Sequence, residues 1–415
     1  MQVLVFEDAL AERLMPLAGL KPVYGLTTGF RTLREKFEHY APGISFTFHM
    51  RRRLAPWYAM AYPSAPVNLL MEDDILLVNG RLVCDAVTGT LIEAGAFTPG
   101  TASMQDDELL FARIRPGLIM ETDGSLPDLI DTNRLVEGLR VERAGGFRLL
   151  SNLWDPVALH PAELLRDAES LPLGRLEGEV HPSAVITDSS ATWVAPGAVV
   201  RAGAVLDADG GFVAIGPGAV VEPLALVSLN VYAGAGCRVK AAARVYSNVS
   251  IGTESKVGGE VEDSIIEPFA NKQHDGFLGH SYISSWCNLG AGTITSDLKN
   301  NYSSVRILCG GREESTGLRF LGLLMAEHCR SSIGTLFNTG TVAGYGCNIF
   351  GAGFPPKEIP SFSWGGSGGF IPHEVDRAFE TARTAMARRA VAAGPEYEAM
   401  FRSAASATGL HSVSV

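Results

Sequence analysis

Val194-Ala-Pro-Gly-Ala-Val199 is followed at once by Val200-Arg-Ala-Gly-Ala-Val205, and these two hexads are the clearest sign of how the chain folds. Each starts with an aliphatic residue and continues through small residues and glycine. A six-residue period fits neither the 3.6-residue turn of an α-helix nor the two-residue alternation of a strand. It is typical of a three-sided parallel β-helix in which each hexad forms one short strand. After a slip of three residues, the six-residue repeat resumes at Ile215 and continues through Val221, Val227, Ala233, Val239, Val245, Ile251 and Val257.

The repeat also predicts which side chains fill the coil. The aliphatic residue of each hexad should point inward, and a small residue such as Ala198 or Ala204 should fit the crowded interior near a corner. A Gly/Ala-rich linker would not hold this register over seven hexads. After a slip, we expect the inward series to continue at Ile265, Phe277, Ile283 and Leu289, and later at Ile333, Thr339 and Tyr345.

The rest of the chain has a different pattern. Short apolar strands and helical patches alternate in the first part, which indicates an α/β domain. Residues 373–393 place apolar side chains at helical spacing and predict an amphipathic helix. We therefore expect an α/β domain over 1–170, a β-helix over 171–372, and a C-terminal helix and tail over 373–415.

Composition excludes several classes of function. A formal net charge of −11 over 415 residues argues against a nucleic-acid binder. No apolar stretch reaches the roughly 20 residues that a membrane span needs. The start of the chain, Met1–Asp8, lacks a basic leader and predicts a buried strand, so we expect a cytoplasmic protein. The six cysteines show no paired ligand spacing, and no metal site is expected.

The densest polar cluster lies inside the repeat, in Asn271-Lys-Gln-His-Asp-Gly-Phe-Leu-Gly-His280, shortly before Asn288-Leu-Gly-Ala-Gly-Thr293. Residues six apart fall at equivalent points on neighbouring faces of such a coil, so His274 and His280 share a phase. Arg244 lies five hexads before His274 and shares it too, unless the slip near residue 263 displaces it.

These residue types suit the transfer of an acyl group to an amine. An imidazole can accept the proton of the attacking amine at neutral pH, which makes His274 the candidate general base. Backbone amides at 290–292 could bind the tetrahedral oxyanion. Arg244 and Lys272 could pair with a sugar phosphate. His280 fits either a partner of the base or a residue of the coil edge.

Around these residues the chain resembles the acetyltransferase half of the bifunctional N-acetylglucosamine-1-phosphate uridyltransferase/glucosamine-1-phosphate acetyltransferase family. That family carries His-x-x-Tyr-x-Gly-Asp followed by Asn-Ile-Gly-Ala-Gly-Thr-Ile-Thr. The match extends through Leu298-Lys-Asn-Asn-Tyr302 and Phe354-Pro-Pro-Lys-Glu-Ile-Pro-Ser-Phe-Ser-Trp-Gly-Gly366, and resembles a divergent bacterial and archaeal branch with a sugar nucleotidyltransferase fused to the coil. The resemblance covers nearly the whole chain. It implies a left-handed β-helix, acetyl-coenzyme A as co-substrate and a homotrimer.

The resemblance also implies individual roles. His274 matches the general base, Asn288 a contact to the substrate amide, and Arg244 a phosphate-binding arginine. Phe277 replaces the family's substrate-binding tyrosine and Asp297 replaces an asparagine, while segment 295–320 is longer than usual. The substrate-binding candidates are thus Arg244, Lys272, Phe277, Asn288, Asp297 and Lys299, and the acetyl-coenzyme A candidates are Ala291, Thr335 and Gly353.

The N-terminal domain departs further from the family. Active sugar nucleotidyltransferases open with a loop of the type Ala-Ala-Gly-x-Gly-Thr-Arg that cradles the triphosphate. Here Phe6-Glu-Asp-Ala-Leu-Ala-Glu-Arg-Leu-Met-Pro-Leu17 has no glycine, and Glu7 and Asp8 would repel a triphosphate unless a metal bridged them. We expect the fold to be retained and its chemistry to be weakened or lost. If the domain is active, Mg²⁺ is required and Arg13, Lys21 and Arg34 are its candidate residues.

Three functions follow as hypotheses. The leading one is acetyl-coenzyme A-dependent N-acylation of an amino-sugar phosphate, similar to glucosamine-1-phosphate, in nucleotide-sugar biosynthesis. The second adds an active N-terminal sugar-1-phosphate nucleotidyltransferase, similar to UDP-N-acetylglucosamine diphosphorylase. The third is a non-catalytic trimeric scaffold. A base and an amide at His274 and Asn288 favour the first over the third.

Overall fold

A computed structural model describes residues 1–407, and its contacts divide them into two units. The first unit contains most of the N-terminal part of the chain, and the second contains the hexad repeat. The first comprises Met1–Leu26, Arg31–Leu153 and Gly394–Ala404, and the second comprises Thr27–Phe30, Trp154–Ala393 and the residues from 405 onward. The last helix therefore contributes to the first unit, although it lies at the other end of the sequence.

The first unit is built on a six-stranded mixed sheet. Its strands lie in the order Phe46–Phe48, Gln2–Phe6, Ile75–Asn79, Glu108–Ile114, Thr101–Gln105 and Arg140–Arg143. The first three run parallel, and Glu108–Ile114 is antiparallel to both of its neighbours. Gln2–Phe6 and Ile75–Asn79 are buried at every position, which explains why they are continuous apolar runs in the sequence.

Helices and short turns surround this sheet. Thr32 and Glu35 form a capping box that fixes the start of the helix Leu33–Tyr40. The other α-helices of this part of the chain are Ala55–Ala61, Ala86–Ala94 and Thr132–Glu137, joined by Pro395–Ala407; the 3₁₀ turns are Ala9–Leu14, Val23–Gly25 and Pro116–Leu118. The α/β domain predicted from the sequence is confirmed.

The second unit is a parallel β-helix with three faces of stacked short strands. Face 1 consists of Val185–Ile186, Val205–Asp207, Leu226–Ser228, Arg244–Tyr246, Glu260–Glu262 and Phe277–Gly279. Face 2 consists of Thr192–Val194, Val213–Ile215, Val231–Ala233, Val249–Ile251, Ile265–Ile266, Tyr282–Ile283, Leu323–Met325, Thr341–Ala343 and Glu358–Ile359. Face 3 consists of Glu179–Val180, Val199–Val200, Val220–Val221, Arg238–Val239, Lys256–Val257, Asn271–Lys272, Asn288–Leu289, Arg330–Ser331, Asn348–Ile349, Ser363–Gly366 and the antiparallel Gly369–Pro372.

The hexad register predicts the coil interior correctly up to Val257. Val200, Val221, Val239 and Val257 stack along face 3 and are fully buried. This column of aliphatic side chains supplies much of the hydrophobic stabilisation, at about 25 cal/mol per Å² of apolar surface removed from water. The predicted fold class, an α/β domain followed by a β-helix and a C-terminal α-helix, is therefore confirmed.

Beyond Val257 the predicted inward series is correct at Ile283 and Leu289, whereas other predicted positions are shifted. Successive coils shorten, since Arg244 pairs with Glu260 and Glu260 with Phe277, and the phase moves by one residue. Leu278 is buried in place of Phe277, and Ile333 is 82% exposed. The residues that point inward are Ile266, Lys272, Leu278, Ile283 and Leu289, then Ser331, Phe337, Ala343 and Ile349.

One long excursion interrupts the coil. Between the strand Ile294–Thr295, which pairs with Leu336–Phe337, and Leu323 the chain forms an antiparallel hairpin of Arg306–Cys309 and Arg312–Ser315. The coil then resumes in register, with Ile283 paired to Met325 on face 2. The longer segment noted in the sequence is thus an insertion between complete turns.

Two helices belong to the β-helix unit. Asp155–Ala168 precedes the coil and packs Leu164 and Ala168 against Phe212 and Ala214. Val375–Ala387 follows the last strands, buries Phe379 and Met386, and confirms the predicted C-terminal helix. Over residues 1–407, none of the helices combines the length and the apolar character that crossing a membrane requires.

Candidate functional site

His274 lies in a turn that a buried lysine holds in place. The turn, residues 273–276, follows the face 3 strand Asn271–Lys272. Lys272 points into the coil, is 1% exposed, and donates from Nζ to the carbonyl oxygens of Gly258 at 2.9 Å and His274 at 2.6 Å. Burial lowers the pKa of this ammonium group to about 8. Lys272 therefore ties the turn to the preceding coil.

The register places His274 beside the turn of the next coil. Asn271 pairs with Asn288, so His274 occupies the turn position that Ala291 occupies one coil later. The amide of Gly292 donates to the carbonyl oxygen of Asp275 at 3.0 Å, which joins the two turns directly. The imidazole of His274 is exposed and makes no hydrogen bond within residues 1–407, while Asn288 is half-buried. His274, Asn288 and Ala291 are thus brought together at one edge of face 3.

Only one of the three backbone amides expected to bind an oxyanion is available. Gly290 donates to the carbonyl oxygen of Ser331 at 3.0 Å, and Gly292 is committed to Asp275. In the described part of the chain, Ala291 is the remaining amide of this turn without a hydrogen-bond acceptor. Any oxyanion site here has a single main-chain donor at Ala291.

Arg244 does not share the phase of His274. It lies on face 1, where Arg244 pairs with Glu260 and Glu260 with Phe277 on successive coils. Its guanidinium donates to Oε2 of Glu260 at 2.8 Å, and Tyr246 donates its hydroxyl to Oε1 of the same carboxylate at 2.6 Å. The hydrogen bond to Glu260 raises the pKa of Arg244. The arginine is half-exposed and near the His274 turn, but a phosphate would share it with Glu260.

Two further candidates are placed away from any substrate. The structure contradicts a phosphate-binding role for Lys272, because its ammonium is buried in the coil and committed to two carbonyl groups. Thr335 is also buried, and its hydroxyl donates to the carbonyl oxygen of Ser332 at 2.9 Å, so its side chain is committed within the turn. Both side chains support turns instead.

The remaining candidates lie on the surface of the coil or its insertion. Phe277 is half-buried on face 1 and Gly353 is exposed. Lys299 donates to the carbonyl oxygen of Ser304 at 3.2 Å within the insertion. Asp297 accepts a 2.8 Å hydrogen bond from Nδ1 of His280, so its carboxylate is engaged by an imidazole. The sequence did not indicate this pair, because 17 residues separate the two side chains.

In the first unit, the two carboxylates that were expected to repel a triphosphate are buried and paired. Glu7 is fully buried and forms a two-pronged ion pair with Arg51, at 3.1 Å from Nε and 2.9 Å from Nη2. The amide of Val23 also donates to Glu7 at 2.9 Å. Arg51 lies 44 residues from Glu7 in the chain, so no spacing pattern in the sequence indicated this pair.

Asp8 has an equivalent partner in Arg81. The guanidinium of Arg81 donates to both oxygens of Asp8, at 3.1 and 2.9 Å, and also pairs with Glu108 at 2.7 Å. Asp8 caps the 3₁₀ turn Ala9–Leu14 by accepting from the amide of Leu10. Glu7 and Asp8 therefore hold the loop together, and the turn occupies the place where a glycine-rich phosphate cradle would be.

Of the three residues assigned to an active nucleotidyltransferase, two converge. Arg34 stacks over the ring of Tyr62 at 4.0 Å and pairs with Glu38 at 2.8 Å. Burial raises the pKa of Tyr62, and the positive charges of Arg34 and Lys21 oppose that rise, so both cations lie near this ring. Arg13 instead donates to Asn152 at 3.2 Å on the exposed surface.

Residues 3–176 match the family model of the sugar nucleotidyl transferases. This match covers the N-terminal part of the chain, less than half of its 415 residues. A curated relative, the bifunctional sugar-1-phosphate nucleotidylyltransferase/acetyltransferase of Sulfurisphaera tokodaii, is 29% identical over 99 residues, which are 23% of this chain and 25% of the relative. The matched segment thus spans a quarter of that relative's length.

Solved structures similar to this chain include three UDP-N-acetylglucosamine acyltransferases. The enzyme from Campylobacter jejuni shares 14% identity over 54% of this chain and 95% of its own, with a TM-score of 0.23. Those from Arabidopsis and Francisella novicida share 17% and 16% identity over 51% and 54% of this chain and 75% and 74% of their own, with TM-scores of 0.21 and 0.19. The curated relative is a transferase, and the segment of this chain that matches the sugar nucleotidyl transferase model comes before most of the β-helix in the sequence.

Proposed function

We propose that the β-helix is an acetyl-coenzyme A-dependent N-acyltransferase that acts on an amino-sugar phosphate, with His274 as its general base. The observation that carries the proposal is the exposed imidazole of His274. It lies in a turn fixed by Lys272, one coil before the turn of Ala291. A coil has no structural need for a titratable side chain at a solvent-exposed corner. Such a position leaves both ring nitrogens open to a substrate.

The available groups suit the steps of amide formation. The amine nitrogen of the sugar forms a bond to the acyl carbon, and the carbon–sulfur bond of the thioester breaks. His274 accepts the proton that the amine loses, since an imidazole titrates near neutral pH. The Ala291 amide can donate to the oxyanion, and the half-buried Asn288 can hydrogen-bond a substrate amide.

Arg244 and Lys272 have distinct parts in this proposal. Arg244 binds the sugar phosphate, and the Glu260 carboxylate already on its guanidinium limits the gain in affinity. Lys272 is a positioning residue, because it acts on His274 through the backbone carbonyl of that residue and contacts no substrate.

Replacement of His274 by alanine tests the proposal. We expect turnover with acetyl-coenzyme A and glucosamine-1-phosphate to fall by ~10²–10⁴-fold, as is usual when a general base is lost. The melting temperature should not change, because the side chain is exposed. Free thiol release would measure the rate, and His181→Ala, at another exposed histidine of the β-helix, is the matched control.

Two results would contradict this role. One is wild-type turnover in His274→Ala, and the other is unfolding of that variant while Asn288→Ala remains fully active. Either would favour a non-catalytic scaffold. Loss of acyl transfer with an unchanged melting temperature would support the base.

A second candidate function is a bifunctional enzyme with an active nucleotidyltransferase. The family match and the convergence of Lys21 and Arg34 at Tyr62 favour it. The ion pairs of Glu7 and Asp8 count against it, because they fill the loop that would cradle a triphosphate. We propose that this domain no longer transfers nucleotides. Calorimetry with uridine or thymidine triphosphate and Mg²⁺ should detect no binding, and micromolar affinity with pyrophosphate release would overturn this.

We also propose that the chain forms a homotrimer through its β-helix. Ile333 is 82% exposed, in the turn that follows that of Ala291, so a large apolar side chain stands beside the candidate site. Burying it against a second coil would shield that site from water. Light scattering should give three times the mass of one chain, and a strict monomer at micromolar concentration would refute shared sites.

A further inference from the structure

One imidazole and two carboxylates converge at the edge of face 1, apart from the residues proposed for acyl transfer. A carboxylate oxygen of Glu262, a ring nitrogen of His280 and a carboxylate oxygen of Asp297 all lie within 4.8 Å of one another. The shortest of these separations is 2.8 Å, between Nδ1 of His280 and Oδ2 of Asp297. Donor atoms that share one metal ion at about 2.1 Å are separated by similar distances.

The coil itself brings these three side chains together. Glu262 ends the strand Glu260–Glu262 and pairs with Gly279 on the next coil, and the amide of His280 donates to the Glu262 carbonyl oxygen at 3.2 Å. A Cβ atom at Gly279 would lie only 2.4 Å from Oδ2 of Asp297. The absence of a side chain at Gly279 therefore gives the Asp297 carboxylate room to reach the imidazole.

A third carboxylate faces the other nitrogen of the imidazole. Oδ2 of Asp263 lies 3.8 Å from Nε2 of His280, and Asn248 donates to Oδ1 of Asp263 at 2.8 Å. Metal-binding histidines usually present their second nitrogen to a carboxylate or a carbonyl group, which fixes the ring orientation and raises its basicity. Asp263 is placed for that role, and Asn248 fixes Asp263.

Apart from His280, the negative charge of this cluster has no cationic side chain to balance it. Within residues 1–407, no lysine or arginine forms an ion pair with Glu262, Asp263 or Asp297. His280 carries at most one positive charge against three carboxylates. A bound cation would remove this imbalance.

We propose that Glu262, His280 and Asp297 bind one divalent first-row transition-metal ion, with Asp263 orienting the imidazole. An imidazole nitrogen with two carboxylates suits ions of the manganese-to-zinc series, whereas calcium and magnesium prefer oxygen donors alone. Three protein ligands leave further coordination positions for water or a substrate oxygen. No metal site was expected from the sequence. The three proposed ligands come from separate segments, so no local motif marks them.

Calorimetry on the full chain, after treatment with a chelator, tests the site. Titration with manganese chloride and zinc chloride should show one ion per chain with a dissociation constant in the micromolar range or below. His280→Asn and Asp297→Asn should abolish that event. Asp263→Asn should weaken it by about 10–100-fold, as is typical when a group that orients a ligand is lost. His181→Asn, at an exposed histidine elsewhere on the coil, should bind as the wild type does.

Several outcomes would refute the site. These are no binding at millimolar metal, binding that His280→Asn and Asp297→Asn leave unchanged, and equal affinity for magnesium and manganese. If His280→Asn fails to fold, Glu262→Gln keeps the test decisive, because its side chain is on the coil surface and loss of binding is still expected. None of these readouts depends on acyl transfer, so the site can fail while the proposed function stands.

Discussion

Carboxylates cluster in both units of this protein, and the two clusters differ in what balances their charge. In the N-terminal unit, Glu7 and Asp8 are buried against Arg51 and Arg81, with every pair formed through two guanidinium contacts. On the β-helix, a cluster of similar size has a single histidine and no lysine or arginine partner within residues 1–407. The first cluster is complete without any ligand, and the second is not.

This difference separates a structural role from a binding role. A guanidinium satisfies a carboxylate permanently and blocks access to it, so a loop built this way is rigid and closed. Carboxylates held together without a partner store repulsion that only a proton or a bound cation relieves. The same residue types therefore indicate opposite functions, according to what lies within hydrogen-bonding distance.

The largest expected effect comes from removing an arginine of the first cluster. Arg81→Met should lower the free energy of unfolding by about 3–5 kcal/mol, because Asp8 is left buried and unpaired. Urea denaturation would measure the change. Arg143→Met is the control, since Arg143 and its partner Asp107 are exposed, and it should cost less than about 0.5 kcal/mol. Equal losses of stability in both variants would show that the buried pair contributes no more than an exposed one.

A double variant should lose less stability than Arg81→Met alone. In Arg81→Met with Asp8→Leu no charge of the pair stays buried, so part of the lost stability should return, on the order of 1–3 kcal/mol. The cap that Asp8 provides for Ala9–Leu14 is also lost, which costs about 1 kcal/mol. Parallel denaturation of the single and the double variant measures how much stability the second substitution restores. If the double variant is no more stable than Arg81→Met, loss of the Asp8 cap outweighs removal of the buried charge.

Lys272 provides a third case, a buried cation without a carboxylate partner. Its pKa of about 8 in the folded chain lies below its ordinary value near 10.5. Between these pH values the unfolded chain binds more protons than the folded one, so stability should rise with pH. Relative to Lys272→Met, the wild type should gain about 2 kcal/mol from pH 8 to pH 9.5. Denaturation at both pH values measures the difference in unfolding free energy between the wild type and Lys272→Met. If this difference does not change with pH, the Lys272 ammonium group is exposed to water.

The smallest effect is expected in the β-helix cluster. Glu262→Gln removes one of the carboxylates that repel each other, so in metal-free buffer it should leave stability unchanged or raise it by at most ~1 kcal/mol. Asp8→Asn, the corresponding change in the first cluster, should destabilise instead. Chemical denaturation in the presence of a chelator compares the two. If Glu262→Gln were as destabilising as Asp8→Asn, the β-helix cluster would be compensated after all.

The sequence revealed the coil because its signal is periodic. Hexads such as Val194–Val199 each fill the same interior position, so an error in one does not obscure the rest. After Val257 the predicted register is correct at Ile283 and Leu289 but fails at other positions, because turns of different length shift the phase without leaving a local mark in the sequence. The same shift separated Arg244 from His274, and it placed Lys272 inside the coil.

The paired carboxylates were beyond the reach of a single sequence. Glu7 and Arg51 are 44 residues apart, and Asp8 and Arg81 are 73 apart. No spacing rule connects them, because the sheet order and not the chain brings them together. The prediction that Glu7 and Asp8 would repel a triphosphate rested on their charge alone. It did not include the arginines that neutralise them. His280 and Asp297 were each noticed, but their contact depends on the coil pitch.

The insertion between Ile294–Thr295 and Leu323–Met325 leaves the coil on either side in register. Its ends are therefore set by the scaffold, whatever lies between them. Lengthening a surface loop costs little, about 0.6 kcal/mol for each doubling. Asp297 and Lys299 lie at its root, beside the acidic cluster. This segment can therefore change in length and sequence while every turn of the coil stays the same.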